Sequence, residues 1–166
     1  MPKQFKTLII ILLLLILNTA CYAEELIQVN ILRPELALEI VEKTLKTCRK
    51  NGFQVSAMVV DRNGIPQAMV RDVYASQFTV QIAREKANAV ILSGVSSAEF
   101  RRNRKDILNE MNQVEGILVL GGALPITAAG SIVGAIGVSG APGGEQDEAC
   151  ARAGLEQVQE RLEFAD

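Results

Sequence analysis

The 166-residue sequence contains no histidine and no tryptophan, and aromatic residues make up only 4% of it. Without imidazole, the chain cannot build Ser-His-Asp or Cys-His nucleophile pairs, histidine-based zinc centres, or His-ligated haem or corrinoid. There is no Cys-x-x-Cys pair, so thioredoxin-like redox chemistry is also unsupported. No Gly-x4-Gly-Lys-Ser/Thr loop is present. Gly134, Gly137 and Gly140 recur at three-residue intervals inside a strand-like stretch. A dinucleotide fingerprint needs different spacing, at a strand-to-helix turn. A basic excess is lacking too: 17 Lys and Arg stand against 19 Asp and Glu, which argues against a nucleic-acid partner.

What is present begins with an export-like leader. Lys3 and Lys6 precede an aliphatic run from Leu8 to Leu17, and small residues follow up to Ala23. This three-part pattern predicts a secretory signal over residues 1–23, cleaved after Ala23 and followed by one domain over residues 24–166. The run is too short for the roughly 20 residues of a membrane-spanning helix. An alternative reads Asn18-Thr19-Ala20-Cys21 as a degraded lipobox that would tether the protein through a lipid on Cys21. Removing residues 1–23 moves the formal charge from −2 to −4, since two lysines and no acids leave. It also leaves two cysteines, Cys48 and Cys150. They are either a disulfide or a pair of small buried hydrophobes.

Hydrophobic periodicity organises the rest. Leu36, Ala37, Ile40, Val41, Thr44, Leu45 and Cys48 form a 3.6-residue stripe that predicts a helix over 33–50. Residues 55–60 and 65–71 predict a hairpin turning at Asp61-Arg62-Asn63-Gly64. A helix over 77–93 follows, capped by Ser76. Ser96 and Glu99 then have capping-box spacing for a shorter helix. That helix carries Arg101, Arg102, Arg104 and Lys105, read as a solvated face with an anionic partner as the alternative. Strands are predicted over 116–120, 124–128 and 131–139, and a last helix over 147–164. The order α-β-β-α-α-β-β-β-α with short turns predicts an α+β fold, a five-stranded antiparallel sheet with helices packed on it.

Two features suggest a ligand site. Lys86 falls on the Ala-rich apolar side of its helix, among Ile82, Ala83, Ala89 and Val90. It must snorkel, pair with an acid, or reach a cleft where it could bind a carboxylate. Gly121-Gly122-Ala123-Leu124-Pro125 offers either uncovered backbone N–H groups to a ligand or a tight connection between strands.

Val59-Val60-Asp61-Arg62-Asn63-Gly64 with Arg71-Asp72, Ala83-Arg84-Glu85-Lys86-Ala87, Gly121 to Ile126, Ile132 to Gly140 and Gln146 to Ala151 occur in the order of a known family. The sequence resembles the GlcG/HbpS-like haem-binding proteins, to which the C-terminal domain of PduO is related. The resemblance implies a layered α/β/α domain with a five-stranded sheet, often assembled as a homo-oligomer, and a small-molecule or tetrapyrrole ligand. On that basis we expect an exported haem-binding or haem-handling protein, with haem held without a histidine ligand. Arg71 and Lys86 are the candidates for the propionates, and Gly121, Gly122 and Pro125 for the wall. Tyr74, a methionine or a hydroxyl is the candidate for the iron. A second expectation is an enzyme on a small carboxylate, oriented by Lys86 with Asp61 or Asp147 as acid or base. A third is an envelope sensory or oligomeric interaction protein without catalysis.

Overall fold

The structure is a computed structural model, and residues 29–164 are described. The leader, Cys21 and the cleavage site lie outside those residues. Helix α1 (Pro34–Lys50) begins with proline at its first turn and ends in Arg49 and Lys50, both favourable placements. Strands β1 (Ser56–Asp61) and β2 (Pro66–Arg71) pair antiparallel, with a register irregularity beside Pro66. Helix α2 (Phe78–Ser93) ends at Gly94 in the left-handed conformation. The observed N-cap is Gln77, so Ser76, the expected cap, stands one residue before it and accepts weakly from the Phe78 N–H at 3.4 Å. Helix α3 (Ser97–Asn103) has the expected cap, the Ser96 hydroxyl accepting from the Glu99 N–H at 3.2 Å. A 3-10 turn (Lys105–Ile107) and one-turn helix α4 (Leu108–Met111) lead to β3 (Ala123–Ala128) and β4 (Ser131–Ser139). Helices α5 (Gly144–Glu156) and α6 (Gln159–Glu163) close the described chain.

The α+β class holds, but the sheet among the described residues has four strands, not five, in the order β2-β1-β4-β3. The expected strand over 116–120 is extended chain laid beside α2. The Leu118 N–H donates to the Glu85 carbonyl, the Val119 N–H to Asn112 Oδ1, and the Asn88 amide to the Gly116 carbonyl. With the Ile117 N–H donating to Val114 and the Leu120 N–H to Leu118, the N–H groups of residues 117–120 are all satisfied without a neighbouring strand. The element order changes accordingly, with a 3-10 turn and α4 in the stretch before β3. The single helix expected over 147–164 starts three residues earlier and breaks near Val158, which turns inward with 2% exposure.

The sheet is covered on both faces. Ala57 and Val59 of β1 point with Ile136 and Val138 of β4 toward α1 and α5. Met58 and Val60 point to the other face, where Ala83, Ala87 and Val90 of α2 pack. A satellite cluster of Ala89, Phe100 and Val119 holds α3 against α2. Cys48 of α1 and Cys150 of α5 form a disulfide, with 5.4 Å between Cα atoms. No helix among the described residues is long and apolar enough to cross a membrane.

Candidate functional site

Lys86 pairs with an acid in the core. It is 1% exposed, and its Nζ donates to Asp147 Oδ2 at 2.8 Å and to the Val138 carbonyl at 3.0 Å. Small residues permit this reach. A side chain at Gly137 would run into the Ala83 carbonyl, so only glycine lets α2 approach β4 this closely. Asp147, 3% exposed, uses its other oxygen to accept from the Ala141 N–H at 3.0 Å. Burial pushes its carboxyl up from the ordinary value, while the Lys86 ammonium and the Ala141 N–H pull it down. Gly122 covers the pair at φ +120°, and a Cβ there would stand 2.7 Å from Asp147 Cβ and 2.8 Å from Lys86 Nζ. Lys86 therefore ties α2, β4 and the start of α5 together, and presents no ammonium to a ligand.

Above this clamp lies a cleft of about 1060 Å³. One wall is Ala98, Arg101 and Arg102 of α3 with Lys105 and Leu108. The other is the Pro142–Gly144 loop and the first turns of α5, with Leu120 and Gly121 also lining it. Ser97 anchors the first wall: it is fully buried, and its hydroxyl accepts from the Ala123 N–H at 3.0 Å. The Asp147–Ala141 bond anchors the second. Arg152, Glu145 and Glu148 also line the cleft, so four cationic side chains face two carboxylates, a formal excess of two positive charges. Arg152 donates to Glu148 Oε1 at 2.8 Å, and Glu148 Oε2 is buried with no partner. The N-terminal turn of α5 adds partial positive charge from its unpaired N–H groups.

The sequence-predicted candidates separate in space. Gly121 lines the cleft; Lys86, Asp147 and Gly122 lie beneath it; Arg71, Pro125, Asp61 and Tyr74 are not among its lining residues. Arg71 ends edge strand β2 and donates to the carbonyls of Asp72 and Ala75. Asp61 shapes the β1–β2 turn, accepting from the N–H groups of Asn63 and Ile65. Tyr74 is 85% exposed. Pro125 is half-buried in β3. The arginine-rich run is exposed, as expected of a solvated face, and three of its cations, Arg101, Arg102 and Lys105, also line the cleft. Sequence reasoning assigns no site role to Arg152, Glu148 or Leu108. For Arg152 and Glu148 the signal is the Gly140-Ala141-Pro142-Gly143-Gly144 loop ahead of an amphipathic helix, with Glu148 inside the Gln146 to Ala151 motif; Leu108 has none.

Comparison with known proteins agrees with this architecture. A crystal structure of HbpS superposes with a TM-score of 0.76 at 33% identity, covering 84% of this chain and 99% of that one. The Klebsiella pneumoniae protein ORFY matches at 0.74 and 25% identity, over 81% of this chain and 94% of that one. The PduOC:haem complex shares the fold, at 0.64 and 17% identity over 76% and 94%. No curated protein matches the sequence significantly. The model of the family described as "Haem degrading protein HbpS-like" matches residues 32–156, and the chain belongs to that HbpS-like family.

Proposed function

We propose that this is an exported small-ligand-binding protein whose ligand is haem or a close tetrapyrrole, seated in the cleft between α3–α4 and α5. One observation carries the reading: Arg101, Arg102 and Lys105 line a cleft together with Leu108, Leu120 and Ala149. Its volume lies just above the roughly 300–1,000 Å³ common for small-ligand sites. A flat apolar ring with two carboxylates suits an apolar floor with cations at its rim, and guanidinium–carboxylate bonds are among the stronger polar contacts. The excess of two positive charges matches two propionates. The family description, and the haem of the PduOC complex, support the same ligand class. Bound haem would supply iron and the conjugated ring. The chain's own residues hold the carboxylates and keep water from the ring faces.

Export is supported by the leader pattern and by the Cys48–Cys150 pair, which suits an oxidising compartment. Homo-oligomerisation is supported by Val73, Tyr74 and Phe78, three exposed apolar side chains just beyond edge strand β2. Hemin titration of the purified protein should give a saturable Soret shift at one equivalent per chain. Reversing both charges, Arg101→Glu with Arg102→Glu, should weaken binding at least tenfold, taking about 1.5–3 kcal/mol for each lost charge-assisted bond. An unchanged Soret band on hemin addition would refute the reading.

A further inference from the structure

We propose that the cleft recognises the tetrapyrrole through its two carboxylates and its ring faces, and not through the metal, so that it takes iron-free porphyrin dicarboxylates as well as haem. This rests on the tetrapyrrole reading above and adds what selects the ligand. The argument comes from the donor set. The lining residues are alanine, leucine, glycine, proline, arginine, lysine, glutamate and glutamine; none is Ser, Thr, Tyr, Met, Cys or His. Guanidinium and ammonium groups have no free lone pair for a metal. Of the two carboxylates, Glu148 has one oxygen held by Arg152 and the other buried. Glu145 is an exposed side chain on the first turn of α5, where water competes for its oxygens. The cations, by contrast, outnumber the carboxylates by two and stand along an apolar wall. What the cleft offers most strongly, four cations beside apolar side chains, is complementary to the periphery of a porphyrin.

The test titrates the purified protein with hemin, with iron-free protoporphyrin IX and with protoporphyrin IX dimethyl ester. Hemin and protoporphyrin IX should bind within about tenfold of each other, and the ester at least tenfold more weakly than the free acid. Arg101→Gln with Arg102→Gln should weaken hemin and protoporphyrin IX by the same factor. Glu145→Gln and Glu148→Gln should leave the ratio of the two affinities unchanged. Tight hemin binding with no binding of protoporphyrin IX would overturn the inference while leaving the haem reading intact. So would an ester that binds as well as the acid. If neither porphyrin binds, both readings fall.

Discussion

A buried lysine is tolerable only when its charge is matched, and Lys86 is matched by Asp147 and the Val138 carbonyl. Lys86→Met would leave the Asp147 carboxylate uncompensated, and should cost about 3–5 kcal/mol in urea denaturation. Asp147→Asn leaves the Lys86 ammonium uncompensated in the same way and offers one acceptor oxygen where two are used, so its cost should be similar. Gly122→Ala should be destabilising for a separate reason, since its Cβ would collide with both members of the pair at a φ of +120° that alanine disfavours. The sequence places Lys86 on the apolar side of its helix, and pairing with an acid is one of three outcomes that allows. It does not show which, because Asp147 lies 61 residues away. A second carboxylate gives the pH dependence. Arg49 beside Asp72, donating at 2.6 Å, holds that carboxyl below its ordinary value of 3.8. A lowered carboxyl contributes stability above its unfolded value, and that stability is lost as pH falls through the folded value. Acid titration of unfolding should show a loss beginning near pH 3.8, and Asp72→Asn should flatten that part of the curve.

Among the elements, those with a clean periodic stripe or a turn signal are legible in the sequence. Helix α1, the β1–β2 hairpin and the capped start of α3 lie within a residue or two of expectation. Residues 116–120 are not legible, because a short aliphatic run reads alike whether it pairs in a sheet or lies along a helix. Only the hydrogen bonds from Leu118 and Val119 toward Glu85 and Asn112 distinguish the two. The cysteine pair stays open on sequence alone, between a disulfide and buried hydrophobes, since no spacing yields a Cα separation. The packing of α1 against α5 brings them to 5.4 Å. The link closes a loop of 102 residues, for which the chain-entropy estimate is about 4.7 kcal/mol. Reduction, or Cys48→Ser, should therefore lower stability by an amount of that order in denaturant titration. Reductant added to the Cys48→Ser variant should cause no further loss.

For the whole molecule, the layered arrangement explains why the site is where it is. The arginine run follows Ser97, which is pinned to the start of β3, while the loop before α5 is held by Asp147, which Lys86 ties to Val138 at the same end of the sheet. Two walls held from below leave a cleft between them, and the charges of α3 and the 3-10 turn face into it. None of this is visible in spacing alone, since the walls come from segments far apart in the chain. The family motifs point to the right end of the molecule through Gly121, but they suggest Lys86 as a ligand contact when it braces the wall behind. The central claim is the location of the ligand. Hydrogen–deuterium exchange of the protein with and without hemin tests it most directly. Slowed exchange in residues 98–108 and 142–152, with β2 and its flanking turn unchanged, is the predicted result. Protection around Arg71, Tyr74 and Phe78 with an unchanged cleft would contradict it.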